Sequence, residues 1–141
     1  ESTVMQDAAK AVRILNQIKD MGITLSVDDF GTGYSSLSYL KRLPIQQIKV
    51  DRSFVMDLPH NHDDVILTQT IINLGKNLRL NVVAEGVETI EQVNMLRDFG
   101  CHQVQGYFYS RPVEASQFVL FLQKHLKQIQ ESIAINESAA I

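Results

Sequence analysis

Ile23-Thr24-Leu25-Ser26-Val27 runs without interruption into Asp28-Asp29-Phe30-Gly31-Thr32-Gly33. The first stretch is rich in β-branched side chains and predicts a strand. The acids come next, and the two glycines after them stop regular structure and let the chain turn. Acids delivered to the carboxyl end of a strand are what parallel α/β folds place at their functional rim. The flanks agree with such a fold. Upstream, Ala8, Ala11, Val12, Leu15 and Ile18 recur at helical spacing and Gly22 closes that helix. Downstream, Leu37, Leu40 and Leu43 mark a short helix ended by Pro44, and Ile48 and Val50 flank Lys49 in a second strand.

The alternation continues to the end of the chain. His60-Asn61-His62-Asp63-Asp64 reads as a polar loop with helix-capping aspartates, leading into a helix that carries Val65, Ile66, Ile71, Ile72 and Leu78. Asn81-Val82-Val83-Ala84 is a third strand, ending at Glu85-Gly86. Thr89 and Gln92 have capping-box spacing before a helix with Ile90, Val93, Leu96 and Phe99 inside and Gly100 at its stop. A fourth strand lies near His102 to Gln105, and Pro112 opens a last helix over Glu114 to Gln130, after which 131–141 reads as a weakly structured tail. The strands are too far apart in sequence to pair as hairpins, so the sheet is parallel with right-handed crossovers. Four βα units make either a small open α/β sheet or half of an eight-stranded barrel, which typically needs about 250 residues.

The composition narrows the function. Sixteen acidic against 13 basic residues give a formal charge of −3, which excludes a polybasic nucleic-acid arm. Hydrophobic residues make up 45%, but no apolar run approaches the roughly 18 residues of a membrane span. The single cysteine, Cys101, has neither a disulfide partner nor a CxxC motif. Glu1 stands where a leader or initiator would, so the chain is expected to be a segment of a longer polypeptide.

Each strand ends in polar chemistry: Asp28 and Asp29, then Lys49 and Asp51, then Glu85 with Glu88, then Gln105. These side chains should converge on one mouth. Two adjacent carboxylates repel, and a divalent cation is the usual way to keep both ionised. Hard oxygen ligands favour Mg²⁺ or Mn²⁺ over zinc, and a lysine among acids suits metal-assisted phosphoryl transfer. Lys49 lies between Ile48 and Val50 and so points to the opposite sheet face. His60 to Asp64 reads as solvated loop rather than metal site, and Tyr107, Phe108 and Tyr109 as packing rather than a base-stacking platform.

Asp28-Asp29-Phe30-Gly31-Thr32-Gly33-Tyr34-Ser35-Ser36, Lys49-Val50-Asp51-Arg52-Ser53-Phe54, Ala84-Glu85-Gly86-Val87-Glu88-Thr89, and Gln105-Gly106-Tyr107 through Arg111-Pro112 together resemble the EAL-domain phosphodiesterases of cyclic di-GMP. The likeness extends from Glu1 to about Phe121. It implies a (β/α)₈ TIM-like barrel, of which 1–130 would be the carboxyl-terminal half, with two Mg²⁺ or Mn²⁺ ions and hydrolysis of cyclic di-GMP to linear pGpG. By that resemblance Asp28 would bridge the metals, Asp29 would ligate the second, and Lys49 would hold the attacking water. Glu85 would be a second-metal ligand or general base, Gln105 would hydrogen-bond water at the metals, and Glu88 would support the site. Phe30, Gly31, Thr32, Gly33 and Tyr34 would form a loop coupling the metal site to dimer contacts, anchored by Glu1.

The Glu-Ala-Leu motif that names the family is absent from the chain, as are an upstream asparagine and glutamate that ligate the first metal in the family. This segment alone is therefore expected to hydrolyse the nucleotide poorly or not at all. Half a barrel exposes two sheet edges, so the amino-terminal half of the barrel or a second copy of the chain is the expected partner. The resemblance places the protein in the bacterial cytoplasm, with no nucleic-acid polymer and no membrane contact from this segment. A non-hydrolysing cyclic di-GMP sensor or protein-docking module of the same fold is the alternative reading, and a phosphate-processing barrel outside signalling is a third.

Overall fold

The computed structural model describes residues 2–33, 37–101 and 103–138, in two compact units, 1–109 and 110–141. In the first unit the elements run α1 (Ser2–Asp20), β1 (Ser26–Phe30), α2 (Leu37–Leu40), β2 (Gln47–Val50), α3 (Arg52–Val55), α4 (His62–Asn77), β3 (Asn81–Glu85), α5 (Ile90–Asp98) and β4 (Gln103–Gln105). All strand pairs are parallel, in the order β1-β2-β3-β4, as the spacing of the strands predicts. Glu1, Tyr34, Ser35, Ser36 and His102 lie outside the described residues.

β1 begins three residues later than its β-branched run predicts, and it contains Asp28 and Asp29 rather than preceding them. The cause is packing at Phe30, whose side chain is buried in the core and draws the strand onward. Val27 pairs with Ile48 and Phe30 with Val50, so β1 carries one residue more than β2 across this interval. That bulge absorbs Asp29, which sits at φ 50°. Both acids can then face outward between the half-buried Val27 and the buried Phe30.

Ile48 and Val50 of β2 are fully buried and form the centre of the core with Ile72, Leu96, Val55 and Val87. Helix α4 reaches this sheet through Gly75, where a Cβ would overlap Val82 and crowd Ile48. The polar loop ahead of α4 is shorter than its composition predicts. Asn61, not an aspartate, is the N-cap, accepting from the backbone N–H groups of Asp63 and Asp64, which occupy the first turn. At α5 the expected capping box is present, with Thr89 and Gln92 bonded reciprocally. Helix α3 has no counterpart in the hydrophobic periodicity because it is a single turn set by a cap: Asp51 accepts from Ser53 N–H at 2.9 Å.

In the second unit, α6 spans Ala115–Ser138. It passes the Gln130 at which the pattern predicts its end, since neither glycine nor proline occurs after Pro112 to stop it. Among the described residues no helix is long and apolar enough to cross a membrane.

Cys101 is buried, with its Sγ against the carbonyl oxygens of Val82 and Gln103, and burial pushes its thiol pKa up. Native chain is therefore expected to react with an aromatic disulfide reagent at least about tenfold more slowly than urea-unfolded chain. Equal labelling rates in the two states would show the thiol to be open.

Candidate metal centre

The carboxyl ends of β1 and β3 bring Asp28, Asp29 and Glu85 together, with one carboxylate oxygen from each lying within 4.8 Å of the others. Oxygens bound to one hard cation at about 2.0–2.6 Å can stand at most about twice that distance apart, so the spacing suits a single divalent ion. Among the described residues this is the group of acids, histidines or cysteines so arranged, and His60 to Asp64 form none.

Pleat alternation sends Lys49 away from its buried neighbours Ile48 and Val50. Its Nζ donates to Asp28 Oδ1 at 2.9 Å and pairs with Glu85 Oε1. The Glu85 and Asp28 carboxylates raise the lysine pKa, so Nζ remains an ammonium donor. Lys49 in turn lowers the pKa of Asp28. Asp29 receives no such relief: the charge of Asp28 first, then desolvation, raises its pKa. One ammonium thus serves two of three clustered acids, and the uncompensated charge at Asp29 is what a cation would neutralise. The donor set fits a hard divalent metal.

The other expected residues spread around this cluster. Glu85, Glu88 and Gln105 line a pocket of about 210 Å³ with Arg52, Gly86, Gly106 and Tyr107. Glu88 Oε1 accepts from Arg52 Nη2 at 2.8 Å. Asp51 belongs to the α3 cap, where the Ser53 hydroxyl and N–H lower its pKa. Phe30 is core, whereas Gly31 (φ 107°) lies against the Phe54 ring and Thr32 bonds back to the Asp29 carbonyl. Phe108 and Tyr109 pack edge to face at 5.1 Å. The partners of Arg52, and those of Gln92 outside its capping box, are distant in sequence and leave no local pattern. The readable signal was the capping box alone.

The EAL domain family model matches residues 1–112. Over 119 residues the chain is 49% identical to the bifunctional diguanylate cyclase/cyclic di-GMP phosphodiesterase MucR of Pseudomonas aeruginosa, covering 84% of this chain and 17% of that protein. The solved MucR phosphodiesterase in complex with c-di-GMP superposes with a TM-score of 0.75 at 48% identity, covering 82% of this chain and 47% of that one. A manganese/c-di-GMP complex of Klebsiella pneumoniae BlrP1 gives a TM-score of 0.65 at 37% identity, covering 71% of this chain and 26% of that one. The chain therefore spans less than a fifth of its curated relative and about half of the solved MucR domain. The EAL neighbours are TIM barrels, and the four βα units here correspond to their carboxyl-terminal part. With the family model running across every strand of this sheet, the chain belongs to the EAL domain family.

Proposed function

We propose that residues 1–130 supply the carboxyl-terminal half of an EAL domain that hydrolyses cyclic di-GMP to pGpG with Mg²⁺ or Mn²⁺. The observation that carries this reading is the Asp28, Asp29 and Glu85 cluster, braced by Lys49, in a chain half identical to a cyclic di-GMP phosphodiesterase. Asp28, Asp29 and Glu85 would hold one of the two metals of the complete site. When bound, it supplies Lewis-acid stabilisation of charge on the phosphoryl oxygens and a more acidic water. Lys49, fixed as an ammonium, donates a hydrogen bond to the attacking water and orients it. Water oxygen bonds to phosphorus, the P–O3′ bond breaks, and the proton that the water gives to Glu85 is passed on through solvent to the departing 3′ oxygen, which leaves as a hydroxyl. Gln105 orients water from β4, and Glu88 shapes the adjoining pocket. The turn at Gly31, Thr32 and Gly33, which follows β1 directly, would couple this centre to a homodimer contact.

The test is pGpG formation by the complete EAL domain carrying this segment, with Mg²⁺ or Mn²⁺ and after chelation. Product that disappears with chelator supports the reading, whereas tight nucleotide binding without product moves the protein to the sensor class. The 141-residue segment assayed alone is expected to show no turnover above background. Turnover comparable to the complete domain would remove the need for first-metal ligands from outside it.

A further inference from the structure

Gln92 is the most buried polar side chain at the rim, 3% exposed, and all its hydrogen-bonding capacity is used. Its Oε1 accepts from the backbone N–H of Glu88 at 2.7 Å and of Thr89 at 3.0 Å. Its Nε2 donates to the carbonyl oxygens of Val55 and Met56, both at 3.1 Å, at the end of α3. A capping box needs only the bond to its own N-cap. The bonds to α3 and to Glu88 go further.

Arg52 opens that same α3 and reaches Glu88 from the other side, through Nη2 to Oε1. Its aliphatic stem lies directly over Gly86, where any Cβ would overlap it, and Gly86 holds φ 72°. Glu88 is thus gripped at its backbone by Gln92 of α5 and at its carboxylate by Arg52 of α3, and the Gln92 amide is itself bonded to the end of α3.

We propose that Gln92 and Arg52 are a positioning pair that aims Glu88 into the pocket it shares with Glu85 and Gln105. The inference rests on the hydrolytic reading above. Neither residue touches the reacting atoms, so each acts through Glu88.

In the complete domain, Gln92→Met and Arg52→Met are each expected to lower kcat about tenfold or more, as outer-shell partners of metal sites do, with KM changed less than about threefold. Arg52→Lys, which keeps one donor, recovers part of the loss. In a Glu88→Ala background the same two substitutions should change kcat less than about twofold, because the group they aim is gone. Undiminished losses in that background, in protein still folded by circular dichroism, would overturn the proposal and leave Gln92 as packing. Should the unsubstituted domain turn over no cyclic di-GMP, the hydrolytic reading fails by itself. Amide exchange then decides the pair: Glu88 and Thr89 N–H must exchange at least about tenfold faster in Gln92→Met, and unchanged protection refutes the grip.

Discussion

Asp28→Asn in the complete EAL domain is expected to lower kcat for cyclic di-GMP hydrolysis on the order of 10³-fold, beyond the 10–100-fold typical of outer-shell partners. Asparagine has the shape of aspartate and retains an acceptor for Lys49 Nζ, which lies 2.9 Å from Asp28 Oδ1. What disappears is the charge that this site spends on two neighbours, the ammonium and the cation. Glu85 would then be the charged partner left to Lys49, and Asp29, whose pKa the charge of Asp28 raises, would ionise more readily. Mn²⁺ affinity should fall with kcat while the circular dichroism spectrum is unchanged. Normal turnover in the folded variant would remove Asp28 from the metal centre.

The second large effect is on stability. Ile48→Ala is expected to cost about 2–5 kcal/mol, against about 0.5–1.5 kcal/mol for Ile48→Val. Ile48 is fully buried, and its side chain together with Val82 fills the space that the bare Cα of Gly75 leaves between α4 and the sheet. Truncation opens a cavity that the stiff β2 and β3 backbones cannot close. Since small domains hold only about 5–15 kcal/mol in total, this is a large share. Urea midpoints of the two variants check it, with an unchanged m-value showing that the unfolded state is not involved. One residue further on, Lys49→Met should lower the midpoint less than Ile48→Ala, because it opens no core cavity and costs only the pairing with Asp28 and Glu85.

That contrast marks what the sequence makes legible. Period two in Ile48-Lys49-Val50 identifies the side chain that joins Asp28 and Glu85, because pleating alone decides which face it takes. Thr89 and Gln92 announce the start of α5 by spacing. The β1 boundary is not legible, since burial of Phe30 against distant residues outweighs local propensity and pulls both aspartates into the strand. Helix α3 is likewise hidden, being one turn whose existence rests on an Asp51 cap and on bonds from Thr68 and Gln92 that arrive from other helices. The acids of the candidate site are local in sequence and readable, whereas their bracing is tertiary and is not.

Among the described residues the bulged strand β1 stands at one end of the four-stranded sheet, beside β2. Two of the three clustered acids therefore ride, among the described residues, on an edge strand, the kind of strand to which another can add. A cation between those acids and a strand zipped onto that edge stabilise the same segment of backbone. Whatever factor the metal adds to closure of the edge, closure must return to metal affinity.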